Sequence, residues 1–221
     1  MDKKIYVDHD GCLAVWREAL SERQLHEPAF YEAAQPDVSI MKKIRALQYC
    51  GFDVAILTKV MSYDIALAKS RWYAKNGVTV PVTYVPYNER KEEYVDKDQI
   101  NILIDDYTPN LMAWEAASPS NIGIKYRNGV NGTKGRWKGL SFDASTSIAD
   151  FLCMIETAAP THTERAERVQ IIAEFAWKAN PTVLQLHALC QRHAQACYRH
   201  ASPEQVRAAE EEMLRQVLAG N

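Results

Sequence analysis

Two aspartates one residue apart, Asp8 and Asp10, follow the apolar run Ile5–Val7 and are followed at once by Gly11. Carboxylates that close repel each other, and a nearby positive charge is the simplest relief. A hard cation such as Mg²⁺ takes oxygen ligands and tolerates waters. A metal-bound carboxylate can also attack phosphorus, giving an aspartyl-phosphate that divides one difficult step into two. Gly11 allows a tight turn where a Cβ would press on a ligand. Matching groups follow along the chain. Thr58 ends the run in VAILTKV and offers a hydroxyl donor to a phosphate oxygen. Lys91, in NERKEEYV, can offset negative charge, with Lys59, Lys97 and Arg90 as other cations for that role. Asp105 and Asp106 close the run in INILIDDYTPN, where they can complete an oxygen-only metal site.

Groups so far apart in sequence need a scaffold that brings them to one place. Apolar runs at Ile5–Val7, Asp53–Leu57, Val80–Val85, Ile100–Ile104 and Ile122–Ile124 alternate with helical patterns at Ser39–Tyr49, Ser62–Asn76 and Leu111–Ala117, and with a charged stretch near Glu89–Val95. Continuous apolar strands separated by helices predict an α/β fold, a Rossmann-like doubly wound parallel sheet covered on both faces. The glycines of CGFD and KNGVTV stand where a helix should stop before a strand. Ligands of such sheets bind beyond the carboxyl ends of the strands. Asp8, Thr58 and Asp105 each follow or close an apolar run, so one crevice is expected to receive all three.

From Pro160 the pattern is helical throughout. Thr161–Glu164 reads as a capping box, and Asn180-Pro181 and Ser202-Pro203 as cap-plus-first-turn signals. Three helices are predicted, near 163–179, 181–200 and 203–219. The expected organisation is an α/β domain over residues 1–158, with a small helical cap at about 14–38, and a three-helix C-terminal extension over 159–221.

Composition narrows the classes. In 221 residues, 47% hydrophobic and 24% charged side chains describe an ordinary globular chain. A net charge of −2 gives no electrostatic reason for general binding to nucleic acid or membranes, although a local basic patch stays open. No apolar run reaches the roughly 18 residues of a membrane span, and MDKKIYVD has no signal-peptide core. Five cysteines without a CxxC pair fit a reducing compartment, so a soluble cytoplasmic protein is expected.

In order and spacing, the pieces Asp8-His9-Asp10-Gly11-Cys12-Leu13, Ile56-Leu57-Thr58, Lys91 and Asp105-Asp106 resemble the four motifs of the haloacid dehalogenase-like phosphohydrolase superfamily. The resemblance spans roughly residues 4 to 157. VDHDGCLAVW and ILIDDYTPNLMAW look most similar to the 5'(3')-deoxyribonucleotidase-like branch. The resemblance implies a Mg²⁺-dependent phosphomonoester hydrolase acting on a small molecule, a nucleotide by the branch. Asp8 would be nucleophile and metal ligand. Asp10 would protonate the leaving group, then activate water, while its backbone carbonyl binds the metal. Thr58 and Lys91 would hold phosphoryl oxygens, and Asp105 and Asp106 would anchor the metal, one of them through water. Two alternatives stand beside this: a phosphatase for a larger substrate, such as a nucleic-acid end or a phosphoprotein, and a catalytically silent fold used as a binding module. The C-terminal helices offer a surface for a protein partner or a second copy.

Some residues admit two readings. His9 departs from the apolar residue expected between the aspartates; strand alternation turns it away from them and makes it a hydrogen-bonded structural histidine. Trp16, Phe30 and Tyr31 fall in the cap segment, where they either stack on a base or form the cap's own core; with Lys59 they are the candidate substrate-binding residues. His187, Cys190, His193, Cys197 and His200 include transition-metal ligand types, and the last four share one helical stripe. Ten residues of helix span about 15 Å, too far for one ion, so a packing face is the expected role.

Overall fold

The computed structural model describes residues 3–16, 21–131, 137–198 and 201–219. Six strands form one sheet: β1 (Lys3–Val7), β2 (Asp53–Val60), β3 (Val82–Pro86), β4 (Ile100–Asp105), β5 (Asn121–Arg127) and β6 (Leu140–Asp143). Their order is β3-β2-β1-β4-β5-β6, the doubly wound Rossmann-like arrangement. The neighbouring pairs among the first five strands are all parallel. The sheet is apolar on both sides. Tyr6, Ala55, Leu57 and Leu103 pack with Leu111, Trp114 and Trp137, while Ile5, Val7, Ile56, Ile102 and Ile104, alternating with them along the strands, are equally buried. Strands covered on two faces give continuous apolar runs, and those runs made five strands readable in the sequence. The edge strand β6 escaped because LSFD is short and alternates.

Between β1 and β2 lie two short helices, α1 (Glu22–Leu25) and α2 (Pro28–Ala33), then α3 (Val38–Tyr49). Ser21 and Gln24 form a reciprocal capping box at α1. The short helices are tied to α4 (Tyr63–Lys75) by Trp72 Nε1, which donates to Ala34 O at 2.7 Å, and by the Arg71–Glu32 ion pair at 2.7 Å. A 3-10 turn (Lys91–Tyr94) precedes β4, and α5 (Thr108–Ala117) joins β4 to β5.

By compactness the chain divides into Met1–Trp137 with Ser141–Ser145, and Lys138–Leu140 with Thr146–Asn221. The helix α6 (Ile148–Thr157) therefore groups with α7 (Arg165–Ala179), α8 (Val183–Cys197) and α9 (Pro203–Ala219), although the sequence reading drew the boundary at 158. The reason is packing: Cys153 of α6 lies against the cluster of Ile172, Leu186, Leu189, Cys190 and Met213. Two cap expectations also change. Glu164, with Glu167, forms the capping box of α7, not Thr161 with Glu164, so the helix starts later. Asn180 ends α7 in the left-handed conformation, and Thr182 with Gln185 caps α8. Ser202 caps α9 as its sequence suggests, accepting from Gln205 N at 3.3 Å. No helix among the described residues is long and apolar enough to cross a membrane.

Candidate active site

β1 has β2 on one side and β4 on the other, so the direction of winding reverses between β1 and β4. A crevice opens beyond the carboxyl ends at such a point. The register pairs Val7 with Ile104, which places the next residues, Asp8 and Asp105, side by side. Asp8 N donates to Ile104 O at 2.9 Å, extending the ladder by one rung.

Lys91, at the start of the 3-10 turn, bridges the pair. Its Nζ lies 2.7 Å from Asp8 Oδ1 and 2.7 Å from Asp105 Oδ2. All three groups are buried. Burial alone would depress the lysine, but Asp105 and Asp8 more than reverse it and hold it above its ordinary range. Burial raises Asp8 to about 7 against the pull of Lys91, with Asp105 and Asp10 adding to the rise. Asp105 is the most constrained carboxylate. Its Oδ1 accepts from Tyr107 N at 2.8 Å, and its Oδ2 accepts from Asn110 Nδ2 at 2.9 Å as well as from Lys91.

Asp106 completes a triad of carboxylates: one oxygen each of Asp8, Asp105 and Asp106 lie within 4.8 Å of one another. Its Oδ2 accepts from Asn128 Nδ2 at 2.6 Å and Asn131 Nδ2 at 2.9 Å. Burial, then Asp105 and Asp8, push it up to about 8, against the two asparagines. Gly11 explains why the turn comes so close. It has φ +73°, and a Cβ there would fall 2.6 Å from Asp106 Cγ and 2.8 Å from Asn128 Nδ2. The glycine makes room for Asp106, where the sequence had suggested room for a ligand.

Asp10 sits apart from the triad. Its Oδ2 lies 2.5 Å from Nζ of Lys69, a fully buried lysine on α4. The same ammonium donates to Thr58 Oγ1 and to Lys59 O, both at 2.8 Å. Thr58 is thus buried with its hydroxyl engaged by Lys69, and does not itself line the cleft. The cleft, of about 420 Å³, is lined by Asp8, Asp10, Lys91 and Asp106 on its floor residues and by Trp16, Lys59, Tyr87 and Tyr107 among others. Lys59 Nζ donates to Tyr87 O at 3.2 Å; burial, then Lys91, lower its pKa.

The cap aromatics mostly satisfy one another. Trp16 stacks on Phe30 with ring centroids 4.7 Å apart and meets Tyr31 edge-on at 6.1 Å. Of the three, Trp16 alone reaches the cleft. Tyr31 is buried, with Lys69 Nζ 5.1 Å from its ring centroid. His9 turns from the aspartates into the core, edge-on to Trp72 at 4.8 Å and Tyr73 at 5.1 Å. Neither ring nitrogen has a hydrogen-bond partner among the described residues, a correction to the hydrogen-bonded role expected of it. Burial and then Lys69 hold it well below the usual histidine range, so it packs as a neutral ring.

In the helical unit, Cys190 belongs to the apolar cluster and His193 is buried beside Arg168, with Nδ1 3.4 Å from Nη1. His187 pairs with Glu210 at 3.8 Å. Cys197 is a half-buried free thiol, and His200 lies outside the described residues.

The sequence reading missed Lys69, Asn128, Asn131 and Asn110. Lys69 did leave a signal. The buried face of α4 carries Ile65, Ala68, Trp72 and Tyr73, and Lys69 falls inside that stripe. A charge on the apolar face of a helix needs a buried partner. The asparagines, in loops and in the first turn of α5, left none.

No known protein family is matched by the chain, and no curated protein matches it in sequence. Among solved structures a similar chain is the D,D-heptose 1,7-bisphosphate phosphatase from Burkholderia thailandensis, at 13% identity and a TM-score of 0.45, with 70% of this chain and 99% of that chain covered. At that distance the likeness is no guide to chemistry, which has to come from the cleft itself.

Proposed function

We propose that the chain is a phosphomonoester hydrolase that works through an aspartyl-phosphate on Asp8, with a nucleotide as its substrate. The observation that carries this reading is the buried bridge of Lys91 between Asp8 and Asp105, beside Asp106, at the sheet's switch point. Three carboxylates and one lysine in so small a volume are built around charges that arrive from outside.

The donor set fits a hard divalent cation. It is oxygen-only, and burial holds Asp8 and Asp106 above the usual carboxylate range even with Lys91 beside Asp8, so the cluster has room for a further positive charge. Asp8 and Asp106 are the residues that would hold Mg²⁺, since both line the cleft and each has an oxygen without a hydrogen bond among the described residues. Asp105 serves instead to hold Lys91. Bound there, the ion would neutralise phosphoryl charge and align the ester with its nucleophile.

Asp8 attacks phosphorus, and the bond to the ester oxygen breaks as that oxygen takes a proton from Asp10. Asp10 then takes a proton from water, whose oxygen attacks the same phosphorus. The bond to Asp8 breaks and inorganic phosphate leaves. Lys91 uses two of its three N–H groups on Asp8 and Asp105, and the third remains for a phosphoryl oxygen. Almost all of this is positioning and charge stabilisation.

The nucleotide is supported by the cleft wall. Trp16, Tyr87 and Tyr107 offer aromatic surface, and about 420 Å³ lies within the roughly 300–1,000 Å³ usual for small-molecule sites. The test is phosphate release from nitrophenyl phosphate with Mg²⁺, followed by a panel of nucleoside, sugar and alkyl monophosphates. Preference for nucleotides is expected. No release from any ester would refute the hydrolase, and a preference for sugar phosphates would refute the substrate.

A further inference from the structure

We infer that Lys69 is a positioning residue for proton transfer, fixing the oxygen through which Asp10 exchanges its proton with the leaving group and with water. The inference rests on the phosphohydrolase reading above and concerns a residue on α4 that belongs to none of the sequence motifs.

Lys69 is fully buried and does not line the cleft, so it reaches substrate only through other groups. Its three N–H groups have three acceptors: Asp10 Oδ2, Thr58 Oγ1 and Lys59 O. Three directed bonds leave the ammonium no freedom to turn. Helix α4 sets its height, with Ser62 capping at Ile65 N, and the Tyr31 ring covers its flank.

The dependence on the other side is complete. Lys69 makes the only side-chain hydrogen bond to Asp10 among the described residues, and Asp10 Oδ1 is buried without a partner. The Asp10 side chain lines the cleft and is about a quarter exposed, and Oδ1 contributes nothing to that. Oδ2 is therefore the oxygen that meets the cleft. One of its lone pairs accepts from Lys69, and the other is left to carry the proton. In the first half-reaction that proton passes to the ester oxygen as its bond to phosphorus breaks; in the second it returns from the attacking water. Without Lys69 the carboxylate turns about its Cβ–Cγ bond and loses that alignment.

An ester whose leaving group departs readily as an anion needs no proton, whereas an alkoxide does. In a single turnover with excess enzyme, which isolates the first half-reaction from the dephosphorylation common to both esters, Lys69→Met should therefore slow leaving-group release about 100-fold or more on an alkyl phosphate and less than about 5-fold on nitrophenyl phosphate. Lys69→Gln, which keeps N–H donors on a side chain one atom shorter, should recover part of the alkyl phosphate rate. Equal losses on both esters, or no loss on either, would overturn the inference while leaving the hydrolase reading intact. A wild-type protein inert to both esters would remove both. A measurement on the wild-type protein stands independently of how the variants fold. In a crystal grown with orthovanadate, Lys69 Nζ should stay on Asp10 Oδ2, with that oxygen facing the apical vanadate oxygen. Lys69 bonded directly to vanadate would make it a substrate ligand and overturn the positioning role.

Discussion

The crevice between β1 and β4 and the core of the helical unit bury opposite kinds of atoms. The first encloses the cluster of Asp8, Asp105 and Asp106 with Lys91, and the pair of Lys69 with Thr58. The second is made of Ile172, Leu186, Leu189, Cys190, Met213 and Val217. Buried charges lose hydration, and their mutual attraction does little more than restore it, so such a cluster contributes weakly to folding. Apolar burial contributes roughly 25 cal/mol per Å² with no such opposing cost. On the proposed function the crevice is organised for a charged visitor, whereas the helical core is organised for itself. Substitutions in the two should therefore fail in different ways.

The sharpest separation comes from Asp8→Asn. It should lower kcat by more than about 10³-fold in a steady-state assay, because an amide is a poor nucleophile. Its melting temperature should match or exceed the parent's, since one repulsive carboxylate is gone. A variant that kept its rate would end the covalent mechanism. Lys91→Met should damage both properties: it leaves two carboxylates facing each other in a buried site, a change worth about 3–5 kcal/mol in denaturant unfolding. Full stability in that variant would show that the carboxyls simply take up protons. Leu189→Ala in the helical core should cost about 2–5 kcal/mol and leave kcat unchanged at temperatures where the protein stays folded. A matching fall in kcat would erase the contrast between the regions.

These contrasts also mark what was legible beforehand. The strands could be read because most are apolar on both faces, and Asp8 and Asp105 come side by side because each follows or closes such a run, whereas Thr58, expected in the same crevice, has its hydroxyl held by Lys69 and does not line the cleft. What could not be read was which groups satisfy which. Nothing local says that Asp10 is held by a lysine 59 positions away, or that Asn128 and Asn131 reach back to Asp106. The cap was misjudged in emphasis: of Trp16, Phe30 and Tyr31 only one faces the cleft, because a small cap needs its aromatics for its own core.

Two smaller effects refine the comparison. Asp8 and Asp106 stand at about 7 and about 8, above the 3.8 expected of a free aspartate. A folded-state value raised in this way adds stability that is complete below about pH 4 and is lost as pH climbs through 7 and 8. Metal-free protein should melt lower at pH 9 than at pH 7. The proposed metal ligands, Asp8 and Asp106, must also be deprotonated to bind, so the rise in melting temperature on adding Mg²⁺ should grow over the same interval. A Mg²⁺ shift independent of pH, or one that persists in Asp106→Asn, would move the ion elsewhere. Smallest of all, Trp16→Ala should raise KM for a nucleotide by about 5-fold, as loss of stacking worth about 1 kcal/mol implies, and leave KM for an alkyl phosphate alone. Equal changes would make Trp16 cap core.

Gly11 carries a consequence for how this sequence can vary. Because the Asp106 carboxylate stands where residue 11 would place a Cβ, and because the backbone there is left-handed, the two positions are not free of each other although 95 residues separate them. Saturation mutagenesis of position 11 alone should return glycine and nothing else in a selection for function. A library that varies both should recover side chains at 11 only alongside a shorter residue at 106, in proteins that still fold but no longer gather the third carboxylate. The path by which such a chain could lose the carboxylate cluster and keep its fold thus has an order, with position 106 changing before position 11.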